Sequence, residues 1–408
     1  MVRGTGKILM KRPIPVRSRA AAHAAFTLVE ILMALALSLL LLGAVITMFG
    51  KVSESIGDSR SLLEMADRLR LAETRLQLDL AGVTATMNPP RNPANNEAYF
   101  EYIEGGTTIS ALAKNTDVSP NVPDTTVGEV GDILMFTTRS TGRPFVGKRN
   151  GNPVESYVAE VAWFVRGRTL HRRVLLVLPG AVTNDPAKGF YANNDISVHL
   201  NAGGTTVTAN TLADLTLREC RFAHSSSAFP ASASVWGQLG LPTLAECSDA
   251  NYDLANLPTA SYPGAKTDPP GIDFWSNRTS RTNADSLPWG DNVLFQNGSR
   301  ITDDIILTNV IGFDVKRWDS TANAYVDLSG AGNTYDTWST TYFGTLWNDG
   351  IDKDANGTAN GIVDDDSEKT NPPPYAVPLR GIQVKIRVFE PDSKQIREVT
   401  VVQDFLPQ

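Results

Sequence analysis

The chain has 408 residues, 42% of them hydrophobic and 20% charged, with a formal charge of −7. An acidic balance argues against nucleic-acid binding as the main task, which needs a basic footprint. Its four histidines, His23, His171, His199 and His224, share no metal-ligand spacing, and neither G-x-S-x-G nor H-E-x-x-H occurs, so no catalytic residue is assigned.

Residues 1–25 carry Arg3, Lys7, Lys11, Arg12, Arg17 and Arg19 and no acid. Residues 26–49 follow as FTLVEILMALALSLLLLGAVITMF, in which Glu30 is the only charge. The uninterrupted apolar run Ile31–Phe49 is long enough to span a bilayer. Basic residues upstream predict a cytoplasmic N-terminus and an outward C-terminal bulk. A cleaved secretory signal is disfavoured: the run exceeds the usual 7–15 residues, and Gly50-Lys51-Val52 after it offers no A-x-A site. A carboxylate inside such a span is costly and calls for a partner.

Helical spacing continues through residues 51–83, with Ile56, Leu63, Leu69, Ala72, Leu76 and Leu80 on apolar positions. Glu64, Asp67, Arg68, Arg70, Glu73, Arg75 and Asp79 fall between them, the pattern of an amphipathic helix that needs something to pack on. Ala81-Gly82 marks its end. Joined to the span, this makes one helix of about 55 residues, roughly 80 Å at 1.5 Å per residue, with Gly43, Gly50 and Gly57 as its weak points.

Residues 84–130 read as mostly loop, broken by Pro89-Pro90 and Gly105-Gly106. Asp132–Thr138 is a strand, and 157–165 with 169–178 form a hairpin around Arg166-Gly167-Arg168. Residues 181–290, rich in Ser, Asn, Pro and Ala, read as a loop-rich insertion. Strands resume at 304–318. The clearest pattern is last: Ile382, Val384, Ile386 and Val388 alternate with Gln383, Lys385 and Arg387, turn at Glu390–Lys394, and return along 395–405. The predicted class is α+β, a long N-terminal helix on an antiparallel β-rich head.

Two further constellations stand in the head. Cys220 and Cys247, on the outward side, are expected to form a disulfide worth about 3–4 kcal/mol by loop closure; the alternative is two buried thiols. In the acidic stretch 349–368, Asp352, Asp354, Asn356 and Gly357 match D-x-D-x-N-G, the first half of a calcium loop. Val363 stands where a closing Glu would be, and Asp364, Asp365 and Asp366 can supply the remaining carboxylates. Calcium is the expected ion; the alternative is a solvated acidic turn that binds none.

Ala24-Ala25-Phe26-Thr27-Leu28-Val29-Glu30, followed by the apolar helix, resembles the processing site of type IV prepilins. The family has Gly before the cut where this chain has Ala25. The resemblance covers residues 20–50 and extends more loosely to 83, where Arg75–Leu80 is similar to the helix end of PilW-type minor pilins and J-type pseudopilins of type II secretion. Pro374–Pro378 before the last hairpin is similar to the closing portion of the same subunits.

The resemblance implies a pilin-like head and four segments: a leader 1–25, a membrane and filament-core helix 26–50, its amphipathic continuation 51–83, and an extracytoplasmic head 84–408. It implies that a prepilin peptidase cuts between Ala25 and Phe26 and methylates the Phe26 amine. Without the six leader cations the chain, −7 as a whole, is near −13. Glu30 is then expected to meet the Phe26 amine of a neighbouring subunit, cancelling two charges that lipid would penalise separately. The expected partners are other pilins or pseudopilins and, before assembly, inner-membrane lipid, with the head in the periplasm. The expected function is a structural subunit of a type IV pilus or type II secretion filament. The alternative is a membrane-anchored calcium-binding protein or enzyme that enters no filament.

Overall fold

Leucine, alanine and methionine dominate the N-terminal run, and such residues lose little freedom in a helix. The computed structural model describes residues 27–88, 92–104, 114–115, 122–123, 131–166, 168–186, 189–200, 206–217, 220–224, 241, 243–248, 300, 303–328, 334–337, 378–391 and 393–405. Helix α1 runs unbroken over Leu28–Ala81, so Gly43, Gly50 and Gly57 do not interrupt it. The chain divides into two compact units, Met1–Ser59 and Arg60–Gln408. In the first, every described side chain to Gly50 is exposed, and the helix is long and apolar enough to cross a membrane. That is compatible with single-pass anchoring.

The second unit holds the end of α1 and the head. Its strands are β1 (Phe100–Ile103), β2 (Lys114–Asn115), β3 (Val122–Pro123), β4 (Ile133–Arg139), β5 (Phe145–Arg149), β6 (Asn152–Ser156), β7 (Val158–Arg166), β8 (Thr169–Leu176), β9 (Thr183–Pro186), β10 (Val198–Leu200) and β11 (Thr206–Ala209). After a one-turn helix, α2 (Leu244–Cys247), come β12 (Ile305–Leu307), β13 (Val310–Asp319), β14 (Ala324–Val326), β15 (Thr334–Asp336), β16 (Gly381–Glu390) and β17 (Gln395–Asp404). A six-stranded sheet has the order β12-β8-β7-β4-β1-β15, and a four-stranded sheet the order β14-β13-β16-β17. The class is α+β, an apolar N-terminal helix packed against antiparallel sheets. The final hairpin pairs Gly381 with Asp404 through to Glu390 with Gln395 in unbroken register, as the period-two spacing predicts.

Two cores explain the strand sequences. Met65, Leu69, Ala72, Leu76 and Leu80 of α1 pack with Leu134, Phe136, Val161 and Trp163 of the six-stranded sheet and with Phe313, Val315, Val384 and Ile386 of the four-stranded one. Ile133, Met135, Ala162 and Phe164 point to the opposite face, into a second core with Phe190, Tyr191, Val207, Leu215, Phe222 and Leu244. A sheet buried on both faces favours near-continuous apolar runs, which is why Ile133–Phe136 shows no alternation. Each large side chain so buried is worth about 1.5–3 kcal/mol.

The second core refines two expectations. Residues 181–290 are not uniformly loop: β9, β10 and β11 form their own sheet, and the segments around them supply the layer that covers the six-stranded sheet. Residues 84–130 contain β1, a strand buried at every position between β4 and β15. The expected disulfide is also absent. Cys220 and Cys247 are buried thiols, Cys247 inside the second core, where cysteine serves as a small apolar side chain.

The end of α1 is fixed by a close approach. A Cβ on Gly82 would collide with the Arg139 carbonyl and the Thr138 hydroxyl. Arg139 N–H donates to the Gly82 carbonyl at 2.7 Å, and the Thr138 hydroxyl donates to the Asp79 carbonyl at 2.7 Å. Only glycine lets the helix terminus and β4 come this near.

Candidate functional site

Glu30 lies in the first turn of α1, three residues after Thr27. The Thr27 N–H and hydroxyl both donate to Glu30 Oε2 at 2.9 Å, and Glu30 N–H donates to Thr27 Oγ1 at 3.2 Å. This is a reciprocal capping box, which satisfies N–H groups the helix itself cannot. Glu30 therefore has a task inside its own chain, which the charge-in-lipid argument did not assign to it. The signal was present as Thr27-x-x-Glu30. Both donors converge on Oε2, and Oε1 accepts no hydrogen bond among the described residues. Ala25 and Phe26 lie outside the described residues.

Asp79 is the second acidic residue of α1 with a structural task. The amphipathic pattern assigns it to the polar face; it is 3% exposed and belongs to the buried one. Its Oδ2 accepts from Arg172 Nε at 2.6 Å and from Trp163 Nε1 at 3.0 Å, and its Oδ1 accepts from Arg172 Nη2 at 2.7 Å. A two-point arginine–carboxylate fork is directional as well as charged. It fixes the last turn of the helix to β7 and β8.

Deeper in the head, Glu101 of β1 and Asp336 of β15 are directly opposed across the sheet. Two like charges at such a pair repel. Arg221 lies between them, its Nη1 donating to Glu101 at 2.9 Å and to Asp336 at 2.7 Å. Its other nitrogens donate to the carbonyls of Leu215 and Thr216, and its guanidinium stands 4.1 Å from the Tyr99 ring centroid. His224 Nε2 approaches Glu101 at 3.1 Å. Desolvation opposes the arginine's charge, but the two carboxylates outweigh it and raise its pKa.

Glu160 of β7 sits beside this cluster. It accepts from the Tyr99 hydroxyl at 2.7 Å, the Ser197 hydroxyl at 2.6 Å and the Phe222 N–H at 2.8 Å, while burial pushes its pKa up. Ala98 and Ala223, both in left-handed backbone, flank the two networks, at a cost of about 1–2 kcal/mol each. The second layer is thus held to the sheet by ion pairs and hydrogen bonds as well as by apolar packing. These side chains are buried and meet one another, so the cluster reads as architecture.

At the edge of the six-stranded sheet, Arg300 donates to Asp195 at 2.7 Å and to Asp303 at 2.9 Å. Asp304 accepts from Leu244 N–H and stands 3.3 Å from His171 Nδ1. Hydrogen bonding from Arg300 lowers the pKa of Asp303. Burial raises that of Asp304, but His171 and Arg173 outweigh burial and hold it low. Depressed carboxylates contribute stability that is present above their ordinary value of 3.8 and is lost as pH falls through the folded-state value. Glu160, raised by burial, has the opposite sign: its penalty is relieved as pH falls toward its ordinary 4.5. Stability of the head is therefore expected to rise slightly on mild acidification and to fall below about 3.8. Thermal melts of wild type and Asp304→Asn across this range check it, because the variant should lose part of the acid limb.

Among the described residues no group of three or more His, Cys, Asp or Glu is arranged to hold a metal. The calcium expectation falls elsewhere: Asp352, Asp354, Asn356, Asp364, Asp365 and Asp366 lie outside the described residues. Comparison with protein-family models, with curated proteins and with solved structures returned no match.

Proposed function

We propose that this chain is a filament subunit of the type IV pilin-like class, a minor pilin or pseudopilin, anchored before assembly in the inner membrane with its N-terminus cytoplasmic and its head periplasmic. The observation that carries this reading is an apolar helix, exposed along its first half and bearing one carboxylate five residues after Ala25. A prepilin peptidase would release Phe26, and its amine would be the counter-charge for Glu30 in a neighbouring subunit. The capping box leaves Oε1 for that contact. A head this bulky suits a tip or low-abundance position, because shaft subunits must pack closely.

The mature N-terminus tests the reading. Mass spectrometry is expected to find methylated Phe26, and an intact leader would refute processing.

Substitutions at Glu30 separate a filament subunit from a plain anchor, in which the carboxylate only caps the helix. Glu30→Val is expected to insert normally and to be depleted from isolated filaments by an order of magnitude or more, whereas loss of a cap alone costs about 0.5–2 kcal/mol. Glu30→Gln keeps a capping oxygen and removes the charge, so it should also be depleted. Incorporation of Glu30→Gln at the wild-type level would leave only the capping role.

A further inference from the structure

Strand β12 covers only part of the edge of β8. Its register runs from Leu307 with Leu170 to Ile305 with His171. Past that point Arg172 N–H donates to the Asp304 carbonyl and Leu176 N–H to the Asp195 carbonyl, each at 2.8 Å. Every second residue of an antiparallel strand points its N–H to the same side. Val174 stands between these two amides, beyond the end of β12, and lines a cavity of about 950 Å³. The end of α1, the β4–β5 connection and Arg173 line it too, all within the second unit. A concavity of this size suits a small ligand.

Arg173 is the anomaly in this lining. It is 1% exposed, yet none of its three guanidinium nitrogens has a hydrogen-bond partner among the described residues. Its guanidinium carbon lies 4.8 Å from the Tyr191 ring centroid and 5.5 Å from that of Phe222. Those ring faces steady the charge but supply no oxygen to its N–H groups. A buried charge left so is costly, and a native structure that keeps one calls for an explanation. The lining carries seven cations against four carboxylates. Every carboxylate is engaged: Asp79 by Arg172, Asp195 and Asp303 by Arg300, and Asp304 by His171 and the Leu244 N–H. Arg75, Arg139 and Arg143 are exposed and make no ion pair among the described residues. Three unpaired arginines and one buried, unsatisfied arginine thus frame a single concavity, whose field favours anions.

We infer that this cavity binds a small polyanion carrying two or more carboxylate or phosphate groups. One group enters to Arg173 and the Val174 N–H, and another is met by Arg75, Arg139 and Arg143. Both kinds of group offer the paired oxygens that a planar guanidinium matches. The inference goes beyond the filament reading and does not depend on it, since the second unit alone makes the site.

Titration calorimetry of the purified full chain, in nonionic detergent and chloride buffer, tests the site with inorganic phosphate, pyrophosphate and citrate. Pyrophosphate, citrate or both should bind saturably, one per chain, and several-fold more tightly than inorganic phosphate, which has a single group. The tighter of the two identifies the group preferred, phosphate or carboxylate. Arg139→Ala and Arg143→Ala should each weaken binding about two- to five-fold, the range for an exposed ion pair. Arg173→Met should abolish binding at millimolar probe. Because it removes a buried charge that lacks a partner, it should melt no lower than wild type. A variant combining Arg75→Glu, Arg139→Glu and Arg143→Glu changes exposed side chains only, so it should fold and should also lose binding. The inference is overturned if neither polyanion binds saturably, if inorganic phosphate binds as tightly as both, or if the triple variant or folded Arg173→Met keeps wild-type affinity.

Discussion

Arg221→Ala is expected to destabilise the head by about 3–5 kcal/mol, because it strands two opposed carboxylates, Glu101 and Asp336, in a dry interior. That is a large share of the 5–15 kcal/mol that typically holds a protein folded. Denaturant titration of the full chain in detergent measures it. The penalty belongs to the unpaired charges and not to a missing contact, so it should be recoverable. Arg221→Met combined with Glu101→Met and Asp336→Leu should return most of the loss, since a buried ion cluster replaced by apolar residues of similar volume is often near neutral in stability. Persistence of the full loss in the triple variant would mean that Arg221 acts chiefly through the Leu215 and Thr216 carbonyls or the Tyr99 ring.

The second large effect is expected at Asp79. Asp79→Ala leaves the Arg172 guanidinium without its fork and the Trp163 indole N–H without its acceptor, at a cost again of about 3–5 kcal/mol. Asp79→Asn keeps an oxygen for Trp163 and should fall between. The damage should be local as well as global. Amide exchange in the last turns of α1, from Leu76 to Ala81, should accelerate more than exchange in the final hairpin of β16 and β17. Uniform acceleration would show that the fork contributes to overall stability without holding the helix terminus in particular.

The two sites differ in how far they were legible in the sequence. The long helix, the β7–β8 hairpin and the closing hairpin are written in local periodicity, which depends only on neighbours a few residues away. Asp79 also left a local trace: it follows Ala72 by seven residues and Leu76 by three, on the edge of the apolar stripe. The general rule that charges face water hid it. Arg221 left none, since its partners are 120 and 115 residues away. β1 is only four residues long and pairs with β15, far along the chain, and β9–β11 are three or four residues each, too short for a period to show. Glu30 is the mixed case. Its carboxylate was recognised as out of place, while its nearest partner, Thr27, stood three residues away.

The main core joins residues from opposite ends of the chain: Met65 and Leu69 share it with Val384 and Val401. Strand β1 likewise waits for β15, and Arg221 for both. Contacts of such sequence separation form slowly, because the long loop must close before they repay it. During synthesis α1 precedes the head, and its inward face stays only partly covered, by β4 and β7, until the last hairpin arrives. For that interval the nascent chain presents a partly covered apolar stripe, and premature association with another newly made chain competes directly with completion of its own fold.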